Sequence, residues 1–186
     1  TLARTPTSGW LPGQLMTDRA QATIPTGLAA GVYPVDLRVD GQVIAALGEV
    51  QVVGLARVFD PPSVETEARA VFDDKIELYG YTLNTTDELQ ITLLWKSLQN
   101  IGLNYTVFIH IIDIENGIII NQRDQMPQSN AYPTSLWQPQ EFVTDTYQMP
   151  KPDTPYEIRI GLYDSATGER LLLPDNTDTF TLDSAE

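Results

Sequence analysis

The chain has 186 residues, 42% of them hydrophobic, no cysteine, and 25 acidic against 11 basic side chains, for a formal net charge of -14. That length suits one large domain or two small ones. The acid excess repels phosphate backbones and anionic membrane surfaces, which excludes nucleic acid as a partner, and the lack of thiols excludes disulfides, thiolate metal sites and cysteine nucleophiles.

In chain order, alternating runs rich in Val, Ile, Thr, Tyr and Phe predict strands at Gln14–Ile24, Val32–Val39, Glu49–Val53, Lys75–Leu83 and Gln90–Lys96. Further strands are predicted at Tyr105–Asp113, Ile118–Arg123, Glu141–Met149, Tyr156–Tyr163 and Thr179–Leu182. Gly, Pro, Asn and Asp punctuate the gaps. "VDGQV" (Val39–Val43) and "IENGI" (Ile114–Ile118) predict tight type I′ hairpins, because Asp-Gly and Asn-Gly accept positive φ. "DSATGER" (Asp164–Arg170) predicts a longer turn with Gly168 left-handed. "SVETEARAVF" (Ser63–Phe72) has a capping-box pattern for one or two helical turns, and Pro61-Pro62 before it marks a connector. Regular short strands with scarcely a helical period predict an antiparallel all-β sandwich.

One corner occurs twice. "GWLPGQLMTD" (Gly9–Asp18) and "LWQPQEFVTD" (Leu136–Asp145) each carry Trp-x-Pro followed by Thr-Asp, and each precedes an alternating strand that starts at a tyrosine, Tyr33 or Tyr156. The ordered set reads as an internal repeat. The second copy has about four strands before its corner and the first has only "TLARTPTS". Residues 1–54 are therefore expected to be the C-terminal half of a first β-sandwich, 55–71 a connector, and 72–186 a complete Ig-like sandwich. Three strands alone leave an uncovered apolar face, which must pack elsewhere or pair with another chain. The start at Thr1, without Met or a signal segment, predicts a processed product or a piece of something longer.

"FDDKIELYGYTL" (Phe72–Leu83), "LQITLLWKSL" (Leu89–Leu98) and "NYTVFIHIID" (Asn104–Asp113), with "RDQMP" (Arg123–Pro127), "AYPTSLWQPQEFVTD" (Ala131–Asp145) and "YEIRIGLYDSATGERL" (Tyr156–Leu171), form a recognisable series. It resembles the C-terminal β-sandwich modules of multi-pass membrane glycosyltransferases of the dolichyl-phosphate-mannose-protein mannosyltransferase type, notably in Chloroflexi-like bacteria. The resemblance implies an extracytoplasmic accessory domain, with transferase chemistry in a membrane portion outside this sequence. The Gly that such modules usually carry after Trp-x-Pro is kept as Gly13 and replaced by Gln140, and the Gly near the later tyrosine is kept as Gly31 and replaced around Thr154-Pro155. Both departures predict altered turns.

No catalytic set stands out. His110 is the single histidine, and "YTVFIHIID" places it on a sheet beside Thr106, Phe108 and Ile112 as a structural residue. One His is too few for zinc, no G-x-S-x-G is present, and neither "DIENG" nor "PDNTD" has EF-hand spacing. No metal site and no cofactor are expected. Asp124 and Asp145, with Asp18 in the first copy, flank the recurring motifs and are expected to accept backbone N–H bonds at loop corners, with sugar or calcium ligation as the alternative. Tyr132, Trp137 and Tyr147 are the candidates for stacking on sugars, against the plainer reading that Trp137 plugs one end of the sandwich. Trp95 is expected in the core, and the sequons at Asn84 and Asn104 carry little information. The expected function is non-catalytic: an accessory or interaction domain contacting glycans or neighbouring chains. The alternatives are a carbohydrate-binding module and a cell-surface assembly subunit completed by strands of another chain.

Overall fold

The structure, a computed structural model, describes residues 11–13, 28–52, 54, 56–86 and 88–182. The chain divides into two units, Thr1–Leu55 and Ala56–Glu186. The described part of the first is mainly one antiparallel hairpin, β1 (Gly31–Val39) and β2 (Gln42–Val52). Asp40 and Gly41 have φ of 49° and 81°, the double left-handed step of the expected type I′ turn. The strand expected at Glu49–Val53 is the end of the longer β2, whereas Gln14–Ile24, Trp10 and Asp18 lie outside the described residues. Tyr33, Val35, Leu37 and Val39 share one face with Ala45 and Val50 across the ladder. Val35, Leu37 and Val39 are exposed.

The second unit is a β-sandwich of two four-stranded antiparallel sheets. One has the order β3-β4-β5-β8, from Thr66–Phe72, Ile76–Asn84, Leu89–Ser97 and Phe142–Met149. The other has the order β10-β9-β6-β7, from Phe180–Leu182, Tyr156–Asp164, Tyr105–Asp113 and Ile119–Gln125. Alternate residues of each strand turn inward, so Ile91, Leu93 and Trp95 of one sheet and Val107, Ile109, Ile111, Ile158, Ile160 and Leu162 of the other join a single core. Trp95 is fully buried, as expected, and meets Phe72 edge-on with ring centroids 6.3 Å apart. Among the described residues no α-helix occurs; Thr134–Leu136 makes one 3₁₀ turn.

Two local expectations are corrected. Ser63–Phe72 does not form helical turns: Thr66–Phe72 is β3, within the stretch read as a connector. Its helix-forming Glu, Ala and Arg are overridden by pairing with β4, which puts Ala70 and Phe72 in the core. A second type I′ turn joins the two strands at Asp73-Asp74, with φ of 46° and 54°. "IENGI" is not type I′. Of its turn residues only Gly117 is left-handed, at φ 72°, and its N–H reaches back to the Asp113 carbonyl at 2.8 Å, which makes a four-residue loop whose last residue is a bulged glycine. Asp164–Gly168 repeats that geometry with Gly168 at φ 77°, as expected there. At the position after Trp-x-Pro, Gly13 and Gln140 are both left-handed, at φ 80° and 69°. What changes is the strain carried by a residue with a Cβ.

Candidate functional site at the Trp-x-Pro corner

The corner spans 126–141, between β7 and β8. Gln128, Ser129 and Asn130 are all left-handed, with φ of 52°, 55° and 70°. Such a run needs outside support, and two side chains supply it. The Asn130 Oδ1 accepts the Met126 N–H at 2.9 Å, and the Asp145 Oδ1 accepts the Gln128 N–H at 2.9 Å. The other Asp145 oxygen accepts the Tyr147 hydroxyl at 2.6 Å. Asp145 thus accepts a backbone N–H at a loop corner. Burial pushes its carboxyl above the ordinary range, while the Tyr147 hydroxyl and the Gln128 and Thr146 N–H groups pull it back. Burial beside Asp145 also drives the Tyr147 phenol far up.

A second network follows directly. Trp137, 1% exposed, donates its indole N–H to the Tyr132 carbonyl at 3.1 Å, and the two rings lie 6.5 Å apart. The Tyr132 hydroxyl donates to Glu141 Oε1 at 2.7 Å, while Glu141 Oε2 accepts the Gln138 N–H at 2.8 Å and Arg57 Nη1 at 2.6 Å. Arg57 also donates to the Tyr132 hydroxyl and the Leu136 carbonyl. Burial and the Glu141 carboxylate raise the Tyr132 phenol well above its usual range. The Val58 carbonyl takes the Phe142 N–H at 2.7 Å, so residues 57 and 58 are clamped to the start of β8. Neither Arg57 nor Glu141 was singled out from the sequence. They are 84 positions apart, and the one available signal was a lone arginine preceding the Pro-Pro stretch.

The five candidate ligand residues therefore fall into three places. Tyr132 and Trp137 belong to the Glu141 network, and Asp145 and Tyr147 brace the left-handed turn. Asp124 is alone on the outer face of the other sheet, where it accepts the Tyr163 hydroxyl at 3.2 Å and not a corner N–H. Sugar stacking requires a ring face open to solvent, and Tyr132, Trp137 and Tyr147 are all buried in the core cluster. The arrangement holds a corner; its donors and acceptors are spent on one another.

His110 lies near Asp124, half-buried on the outer face of β6 and 4.7 Å from the Phe108 ring. Burial lowers its pKa below 6.5; Arg170 adds to that, and Asp124 and Asp178 oppose it. Phe108 fills the space over Gly161, where a Cβ would meet the Phe108 ring and, at 2.5 Å, the Asp178 carbonyl. Among the described residues, no three His, Asp or Glu side chains are grouped so as to hold a metal ion. No protein-family model matches the chain, and no curated protein matches it with significance.

Proposed function

We propose that the chain is a non-catalytic, extracytoplasmic accessory module that makes contacts: an Ig-like sandwich preceded by a partial copy of itself, within a larger membrane-associated or cell-surface protein. The glycosyltransferase association comes from the sequence resemblance. With β3 set aside, the order β4-β5-β8 against β10-β9-β6-β7, with crossings between sheets at β5–β6, β7–β8 and β8–β9, supports the Ig-like reading. The shared left-handed residue after Trp-x-Pro supports the duplication. The carrying observation is the first hairpin. Val35, Leu37 and Val39 are 37%, 46% and 52% exposed, whereas Ile158, Ile160 and Leu162, at the matching places after Tyr156, are at most 1% exposed. An apolar stripe in water is a contact surface awaiting cover. Antibody labelling of intact cells of the source organism tests the location. Labelling without permeabilisation is expected, and labelling only after permeabilisation contradicts the proposal.

A carbohydrate-binding reading is favoured by one further feature. Cross-strand rows Thr82–Thr92–Thr146 and Asn84–Gln90–Gln148 run across the first sheet. Asn84, Gln90 and Gln148, with Thr86 and Glu88, line a shallow groove of about 310 Å³. Amides and hydroxyls in rows are suited to sugar hydroxyls. A glycan array with the wild-type chain and a Gln90→Ala/Gln148→Ala variant decides it: binding lost in the variant supports this reading, and absent or unchanged binding removes it.

A further inference from the structure

Within the second unit, β7 is the last strand of one sheet and β8 the last of the other. A cleft of about 340 Å³ lies between them, lined by Arg123 and Gln125 of β7, Ser129 of the corner, and Thr146, Tyr147 and Gln148 of β8. That volume is at the low end of the roughly 300–1,000 Å³ of small-ligand sites. On β7, Asn121, Arg123 and Gln125 stand directly opposite Ile111, Ile109 and Val107 of β6, which are fully buried in the core. Opposed residues share a face, so β7 turns two amides and a guanidinium to the side that β6 fills with apolar groups. A sandwich closed for stability alone would carry apolar residues there.

Arg123 also differs from the other described arginines. Arg38, Arg57, Arg69, Arg159 and Arg170 each pair with a carboxylate, and among the described residues Arg123 pairs with none. The neighbouring acids are engaged elsewhere. Asp124 accepts the Tyr163 hydroxyl on the opposite face, and the Asp145 oxygens take the Gln128 N–H and the Tyr147 hydroxyl. The other polar lining groups are neutral amides and hydroxyls. In a chain with 25 acidic side chains, this guanidinium is left to an outside anion. Gln148 lines both this cleft and the groove of Asn84 and Gln90, so the polar rows continue from one into the other.

Resting on the carbohydrate-binding reading, we propose that the ligand of this surface is an acidic glycan. A uronic acid residue sets its carboxylate on Arg123, and its hydroxyls meet Gln125, Ser129, Thr146 and Gln148. A guanidinium takes a carboxylate through two parallel N–H bonds, stronger than the neutral bonds around them. Glu88 in the neighbouring groove repels a second carboxylate, so the sugar lying there is neutral. The net charge of -14 opposes a long polyanion, but at physiological ionic strength exposed charges beyond about 8 Å are largely screened, and Arg123 is the charge that lines the cleft.

Calorimetric titration of the full chain tests this with two tetrasaccharides that alternate a uronic acid with a neutral hexose, one built on glucuronate and one on galacturonate, and with their carboxyl-reduced forms. Saturable binding of at least one acidic form is expected, weakened at least about tenfold by carboxyl reduction and to a similar extent by Arg123→Gln. Arg123→Lys, which keeps the charge without the planar fork, should recover part of the loss. The thermal transition of the second unit is the control that each variant is folded. Reduced forms that bind as tightly as the acidic ones overturn the proposal and leave the carbohydrate reading standing. Acidic binding untouched by Arg123→Gln overturns it, because the carboxylate then lies elsewhere. Equal binding of a tetraglutamate peptide overturns it in favour of a protein carboxylate. No binding of any form also overturns it, and Arg123 is then an inward charge that guards a strand edge. The glycan array then decides separately whether the broader reading fails with it.

Discussion

Glu141 accepts hydrogen bonds from Arg57, Tyr132 and Gln138 while 1% exposed. Removing one partner of such a pair costs more than the pair contributes, because the other charge stays buried without compensation. Glu141→Ala should therefore destabilise the second unit by roughly 3 kcal/mol, the low end for a buried pair, since the Arg57 side chain is 29% exposed. Urea denaturation measures it, and a loss within error of zero would show that the network contributes nothing. His110 gives the matching pH prediction. Its folded pKa lies below 6.5, so as pH falls through that value the unfolded chain takes up the proton first. Its contribution to stability is full above 6.5 and is lost as pH drops towards the folded pKa. Urea midpoints between about pH 7.5 and pH 5 should fall for the wild type and flatten in His110→Gln. Parallel profiles would contradict this.

At the scale of elements, the sequence marked strands well wherever a period of two coincided with turn chemistry. Tyr105–Asp113 was placed to the residue, and most other strands of the second unit within two. β3 was hidden because Glu, Ala and Arg favour helix locally, and only pairing with β4 overrides them; the alternation from Thr66 to Phe72 running into Asp73-Asp74 was the available signal. The corner was half legible. Trp-x-Pro marked the bend before β8, but the Arg57–Glu141 pair joins segments whose adjacency exists only after the sheets assemble. The left-handed backbone at Gln140 has a consequence of its own. Its N–H donates to the Ser97 carbonyl at 2.7 Å, a bond glycine would keep, whereas the strain of a Cβ at φ 69° would vanish. Gln140→Gly should stabilise the second unit by roughly 0.5–1 kcal/mol, the relief of strain less the entropy glycine adds to the unfolded chain. Gln140→Ala should not stabilise it, and equal effects from the two would argue against backbone strain.

For the whole molecule, the described residues of the two units differ in how well their apolar faces are covered. The second closes a core between two sheets, with Trp95, Leu93, Ile109 and Ile160 out of water. The described part of the first is a hairpin, and a two-stranded ladder is marginal on its own. Amide hydrogen exchange on the full chain, read by mass spectrometry at peptide resolution, tests this contrast most directly. The account predicts slow exchange in β4, β5, β6 and β9, and fast local opening in β1 and β2. Protection of β1 and β2 equal to that of β6 and β9 would contradict it.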